Sequence, residues 1–369
     1  MSLRVATVIT RLSGGAGTLA LRGAAALDPD AHEVTLITGS GSLLRQAEEA
    51  GLETVVEPAL RRPVAPAHDL LALHRLTALL RGFDVVHTHC SKAGALGRVA
   101  ARRARVGRVV HTFHGFGFHR FQPAHRRRAY VAVERRLGRI TDLALCVGGG
   151  VAVEAVQRRL LPPERIRTIG VAVDHAAPRR DEETRRRARR ALGLAPDDVV
   201  VGAVGRLTYQ KAPEHFIAAL AALRRPEVVG VWVGDGEEAE RVRAQAAAAG
   251  VRAVLPGERD DVVRLLPALD VFALPSRYEG LPLAIVEAMV CGVPVVATAV
   301  NAVGDVVVPG ETGLLVPPHR PDLLAGAVAH LLDHPDRAAR LAAAARERVA
   351  GRHEIGQLAD ALAQAYRAE

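Results

Sequence analysis

Residues 199–233 read VVVGAVGRLTYQKAPEHFIAALAALRRPEVVGVWV. The apolar run Val199–Val204 is too short for a helix and ends in a glycine turn, as a buried strand does. Pro213 suits the first turn of a helix, and Pro213–Leu223 carries apolar residues at helical spacing. Val228–Val233 is a second short apolar run. Strand, glycine loop, helix and strand in succession make a βαβ unit, and repeated units build a parallel sheet covered by helices.

The alternation continues outward from this stretch. Downstream it predicts helices at Glu237–Ala249, Val262–Leu266 and Pro282–Val290. Strands are expected at Ala253–Leu255, Val271–Leu274, Val295–Thr298 and Leu314–Val316, with a helical tail from Asp322. Upstream it predicts strands at Arg4–Ile9, Glu33–Thr38, Val85–His87, Arg108–Thr112, Leu143–Val147 and Arg167–Ile169. Helices among them are expected at Ala16–Ala26, Leu70–Leu80 and Ala93–Ala104. The pattern breaks only at residues 174–198, DHAAPRRDEETRRRARRALGLAPDD, a polar and charge-dense stretch. The expected organisation is therefore α/β. An N-terminal Rossmann-like domain (1–175) and a linker (176–198) precede a C-terminal Rossmann-like domain (199–350), and a helical tail (351–369) packs back on the first domain. Two doubly wound domains would face a central cleft, because ligands bind at the carboxyl ends of parallel strands.

A chain of 369 residues suits two such domains. Half of it is hydrophobic (49%) but only 3% is aromatic, so the cores must be built from Ala, Val and Leu. No stretch is long and apolar enough for a transmembrane helix, and the apolar N-terminal run leads straight into a glycine loop, as a first strand rather than a signal peptide. Cys90, Cys146 and Cys291 are widely spaced, which fits free thiols in a reducing cytosol. The net charge of +9 is compatible with an arginine-decorated surface or with an anionic partner. Basic residues are not interleaved with aromatics, which speaks against nucleic acid. Lys92 and Lys211 are the only lysines among 49 basic residues. A compact ammonium on a thin stem suits a tight phosphate pocket, so both positions draw attention.

Two motifs carry chemistry. In Gly202-Ala-Val-Gly205-Arg206-Leu-Thr-Tyr-Gln-Lys211-Ala-Pro213, two cations flank a glycine turn at a helix N-terminus, which makes an anion site. In Pro275-Ser-Arg-Tyr-Glu279-Gly280-Leu281-Pro282…Glu287, one carboxylate sits at the helix mouth and a second about a turn and a half inside it. Glu287 lies between Ile285, Val286, Ala288 and Met289, where burial demands a polar partner; a solvated helix face is the alternative. Ser13-Gly14-Gly15-Ala16-Gly17 permits close approach of a ligand or simply a tight turn. His87, His89, His111, His114 and His119 follow predicted strands and suit either hydrogen bonding to sugar or phosphate, or structural roles. The sole Asp-x-Asp, Asp28-Pro29-Asp30, reads as a turn. Phosphate stabilisation without a metal, by Arg206, Lys211 and helix dipoles, is therefore expected.

At these residues the chain resembles the family 4 glycosyltransferases, which have the GT-B fold. The likeness rests on Gly14–Gly17, on Gly205-Arg206-Leu207 with Lys211, and on Glu279…Glu287. The segments VVHTHCSKAGALGR, HTFHGFGFH and GETGLLVPP look like members that build bacterial capsular or exopolysaccharides. The resemblance implies a retaining enzyme that takes a nucleotide sugar, most readily a UDP-sugar. It implies Glu279, His114, Arg206 and Lys211 as catalytic residues, and Gly15, Gly205, Arg206, Lys211, Glu279, Gly280, Leu281 and Glu287 as donor-binding residues, with Glu287 on the ribose. No cofactor or metal is implied. The acceptor would be a hydroxyl of a lipid-linked glycan or of a small soluble compound such as an aminocyclitol. A non-catalytic sugar-nucleotide-binding protein is the alternative of another class. The basic segment Phe118–Arg139 would give a cytoplasmic protein peripheral contact with an anionic membrane. Departures from the family pattern fall at Ala212, at Val147–Val151, at Gly170–Asp174 and at Ala299–Asp305, the last near the donor side.

Overall fold

The computed structural model describes residues 2–367. It divides into two units, residues 1–172 with 353–369, and residues 173–352.

In the first unit the strands are β1 (Leu3–Ile9), β2 (His32–Thr38), β3 (Glu53–Val56), β4 (Val85–His89), β5 (Arg108–Phe113), β6 (Leu143–Cys146) and β7 (Ile166–Thr168). They form a parallel sheet in the order β3-β2-β1-β4-β5-β6-β7. The crossovers carry helices α1 (Gly14–Ala25), α2 (Leu44–Glu49), α3 (Pro66–Leu79), α4 (Ser91–Arg103), α5 (Ala124–Gly138) and α6 (Gly149–Gln157). The core is aliphatic and small, with Ala6, Val8, Val86, Ala93, Ala100 and Leu76 fully buried. One charged pair lies inside it. Arg98 on α4 is fully buried, and its Nη2 donates to Glu134 Oε2 on α5 at 2.8 Å while its Nε donates to Gly94 O.

In the second unit, β8 (Val199–Val204), β9 (Val228–Val233), β10 (Ala253–Gly257), β11 (Val271–Leu274), β12 (Val295–Thr298) and β13 (Leu314–Val316) form a parallel sheet in the order β10-β9-β8-β11-β12-β13. Its helices are α7 (Glu182–Ala191), α8 (Pro213–Leu223), α9 (Ala239–Ala248), α10 (Val262–Leu265), α11 (Leu283–Cys291), α12 (Val303–Val306), α13 (Pro321–Asp333) and α14 (Pro335–Val349). Trp232 and Phe216 meet edge to face at 5.4 Å and anchor its core. The last helix, α15 (Ile355–Tyr366), returns to the first unit, where Leu358 and Leu362 are buried and Tyr366 is enclosed against β4.

Most strand spans agree with the apolar runs. β3 does not announce itself, because its four residues are half-buried or exposed at the sheet edge. Pro282 caps α11 in an extended conformation instead of opening it, so the helix begins at Leu283. The charge-dense segment 176–198 is tied into the second unit. Asp181 and Thr184 form a reciprocal capping box at the start of α7. Arg180, Arg185 and Arg189 converge on Asp270 at 2.6, 3.1 and 2.8 Å, and Asp270 Oδ2 also accepts from Val200 N. The sequence there reads as a polar, charge-dense stretch; the fold supplies the half-buried carboxylate that gathers it.

Candidate functional site

In the second sheet the chain leaves β8 toward β9 on one side and returns to β11 on the other. The carboxyl ends of β8 and β11 thus border a topological switch point, where α/β sheets bind ligands. The loop after β8 brings Gly205, Arg206 and Lys211; the loop after β11 brings Glu279, Gly280 and Leu281, and α11 carries Glu287. Of these, Lys211 and Glu279 meet although 68 positions separate them. Lys211 Nζ donates to Glu279 Oε1 at 2.6 Å. Ser276 Oγ donates to the same oxygen at 2.5 Å, and Gln210 Nε2 donates to Tyr278 O at 3.1 Å. Glu279 and Glu287 are both buried, at 6% and 7% exposed. Arg206 is half-buried beside them.

The two loops are braced together. Arg277 donates from its backbone N to Gln210 O at 2.8 Å and from Nη1 to Tyr209 O at 2.6 Å, its guanidinium lies 4.0 Å from the Tyr209 ring centroid, and it pairs with Glu214. Thr298 Oγ1 at the end of β12 donates to Ser276 O at 2.6 Å. Asn301 Oδ1 accepts from Glu279 N at 3.4 Å. Two glycines let the backbones approach. Gly205 has φ of 151°, and a β-carbon there would press on the Lys211 stem at 3.1 Å; Gly234 has φ of 135°, and a β-carbon there would overlap Gly205 O at 2.2 Å. Ser276, Gln210 and Arg277 were missed in the sequence. Ser276 and Arg277 sit within the quoted glutamate motif, but a bonding partner 68 residues away leaves no local signal.

Gly15 and His114 belong to the first unit. Gly15 is exposed in the first turn of α1, after Ser13, which caps that helix without a side-chain bond. His114 follows β5. Side chains alternate between faces of a sheet, and the histidines are sorted accordingly. On one face His87 donates or accepts through Nδ1 to Tyr366 OH at 2.8 Å and through Nε2 to Thr112 Oγ1 at 2.7 Å. The His89 ring lies tilted against that of His87, with centroids 4.2 Å apart, and its Nδ1 lies 2.9 Å from His114 Nε2. On the other face His111 Nδ1 meets Thr88 Oγ1 at 2.9 Å. Burial lowers all four pKa values from the ordinary 6.5, to about 3 for His87 and about 4 for His114, with neighbouring histidines adding to the effect for His87 and His89, and Arg98 and neighbouring histidines for His111.

Lys92 lies in the first unit, away from the loops after β8 and β11 in sequence, and is held by a carboxylate of its own. Its Nζ lies 2.5 Å from Asp69 Oδ1 and also bonds Pro63 O, strapping the loop before α3 to the start of α4. The cysteines form no disulfide, and burial raises the thiols of Cys146 and Cys291 to about 12. Among the described residues no group of three His, Cys, Asp or Glu is placed to hold a metal ion, and no helix is long and apolar enough to cross a membrane.

Two family descriptions match the chain: Glycosyltransferase Family 4 over residues 13–177 and Glycosyl transferases group 1 over residues 184–348. A UDP-Gal:α-D-GlcNAc-diphosphoundecaprenol α-1,3-galactosyltransferase of Escherichia coli is 32% identical over 74% of this chain and 73% of its own length. A D-inositol 3-phosphate glycosyltransferase of Jonesia denitrificans is 33% identical over 66% of this chain and 62% of its own, so the chain spans less than two thirds of that relative. The fold is shared with the crystal structure of Anabaena HepE in complex with UDP and glucose, with a TM-score of 0.86 at 22% identity over 98% of each chain. The chain therefore belongs to the Family 4 and group 1 glycosyltransferases of GT-B fold, and it is an enzyme that transfers a glycosyl group.

Proposed function

We propose that the enzyme moves a hexose or N-acetylhexosamine from a UDP-sugar, with retention of configuration, to a hydroxyl of a lipid-linked glycan. The observation that carries this reading is the Lys211–Glu279 pair at the switch point of the second sheet, with Arg206 half-buried in the same loop as Lys211 and Glu287 buried on α11. A diphosphate carries about two charges at neutral pH and suits one forked and one compact cation. The leaving nucleoside diphosphate gathers negative charge as the glycosidic bond breaks, and fixed cations there lower the barrier. Glu287 in α11 accepts from the ribose hydroxyls, and Glu279 meets the sugar. Gly280 and Leu281 bring backbone close to the donor, and the first unit, to which Gly15 belongs, carries the acceptor side. His114 contributes a hydrogen bond at the reaction centre. No metal enters this scheme, because Arg206, Lys211 and the α8 N-terminus supply the positive charge.

The lipid-linked acceptor is supported by the galactosyltransferase relative and by α5. That helix exposes His125, Arg126, Arg128, Arg135, Arg136 and Val133, a basic face with apolar interruptions. Such a face binds an anionic bilayer reversibly, at about 1 kcal/mol per basic residue near the surface. The protein then works at the cytoplasmic membrane surface. A small soluble acceptor is the second reading, favoured by the likeness to the inositol phosphate enzyme.

The experiment is transfer from UDP-glucose, UDP-galactose and UDP-N-acetylglucosamine to polyprenyl-diphosphate N-acetylglucosamine, with inositol 3-phosphate assayed beside it and EDTA present throughout. Transfer to the lipid with an α-linkage supports the proposal. Transfer to inositol phosphate alone moves it to the second reading, and strict dependence on added Mn²⁺ or Mg²⁺ overturns the metal-free scheme.

A further inference from the structure

We propose that His89 is a positioning residue that fixes the tautomer and ring plane of His114, so that His114 meets the substrate as an Nδ1–H donor. The inference rests on the placing of His114 at the reaction centre.

The two rings come from adjacent parallel strands. His89 ends β4 and pairs in register with Thr112 of β5, and His114 stands two residues beyond Thr112, on the same face of the sheet. This is why His89 Nδ1 and His114 Nε2 meet at 2.9 Å, with ring centroids 5.2 Å apart and planes inclined by 35°. A hydrogen bond between two imidazoles needs a proton on one facing nitrogen and none on the other. Which nitrogen of a histidine is protonated follows from the bond its other nitrogen makes.

The remaining nitrogen of His89 decides the direction. His89 is 4% exposed, and its Nε2 is enclosed with no hydrogen-bond partner among the described residues. A neutral imidazole carries one N–H. If the proton were on Nε2, a buried donor would have no acceptor, and orphaned buried N–H groups are rare. If it is on Nδ1, only an acceptor lone pair is left bare. His89 therefore donates from Nδ1 to His114 Nε2, and the proton of His114 is placed on Nδ1. Burial keeps both rings neutral near pH 7, so the direction is not scrambled by protonation. His89 is itself packed, ring tilted, against His87, whose two nitrogens are engaged by Tyr366 and Thr112. The C-terminal helix thus braces the ring that orients His114.

The test reads the tautomer directly. In the full chain with isotope-labelled histidine nitrogens, NMR should find His114 as the Nδ1–H form without any substrate. His89→Asn should keep it, because the amide Nδ2–H stands where the imidazole Nδ1–H was. His89→Ala should move His114 to the Nε2–H form or a mixture. UDP release from UDP-glucose, UDP-galactose and UDP-N-acetylglucosamine, assayed in parallel, should fall at least about tenfold in kcat for His89→Ala with donor KM little changed, and recover in His89→Asn, the scale of losing an orienting partner. A wild-type His114 protonated on Nε2, or a tautomer unchanged in His89→Ala, overturns the proposal. Full turnover by His114→Ala would instead remove His114 from the reaction centre and leave the tautomer result standing.

Discussion

The Lys211 ammonium stands 2.6 Å from the Glu279 carboxylate, across the boundary between the loops that follow β8 and β11. Each neutralises the other while both are buried from water, Lys211 at 17% and Glu279 at 5% side-chain exposure. A carboxylate left alone there would repel an incoming diphosphate, and the ammonium holds it in place with Ser276.

Lys211→Ala and Arg206→Ala should each lower kcat by about a hundredfold or more, the scale of removing one group that stabilises developing charge. Lys211→Arg should not restore the rate, because the stem passes close to Gly205 and leaves little room for a planar fork. Steady-state rates of UDP release measure this. A variant lacking Lys211 with undiminished kcat would remove it from the leaving-group site.

Glu287→Ala should weaken UDP binding by more than about tenfold, since a buried ribose diol that loses its acceptor costs at least about 1.4 kcal/mol. Isothermal titration with UDP separates this from catalysis. Unchanged affinity would assign the carboxylate to packing.

Acid should destabilise the first unit through its histidines. His87 and His114 are lowered to about 3 and about 4 in the folded state, and His89 and His111 also lie well below 6.5. Between pH 6.5 and the folded values the unfolded chain binds protons that the folded chain refuses. Stability is therefore full above pH 7 and falls as the pH drops through 6.5 toward 4, by up to about 1.4 kcal/mol per pH unit for each histidine. Urea denaturation at pH 7.5 and pH 5 checks it, and His111→Gln should shallow the dependence. Equal stability at the two pH values would mean the rings are solvated.

Glu134→Ala should cost about 3–5 kcal/mol, because it leaves the fully buried Arg98 guanidinium without its counter-ion. Replacing both by Leu should cost less than the single change. Chemical unfolding of the three variants compares them directly.

The alternation of apolar runs with helical segments sufficed for both sheets, since buried parallel strands such as Val199–Val204 and Val228–Val233 are written in consecutive residues. The glycine loop after β8 and the helix that carries Glu287 were equally legible as local elements, being written in consecutive residues. Glu53–Val56 was not, because a four-residue half-exposed edge strand has no periodicity to read.

What the sequence determined by itself was therefore local: strands, loops, helices and the residue types on each. The tertiary structure decided which of them meet. Lys211 and Lys92 look alike in sequence, yet one faces Glu279 between the loops after β8 and β11 and the other pairs with Asp69. The histidines form one zone in sequence, yet register divides them between two faces of a sheet and joins His89 to His114. His87 finds Tyr366 279 positions away. Strand order and register fix such pairs, and they follow from the packing of whole layers, which no short stretch of sequence encodes.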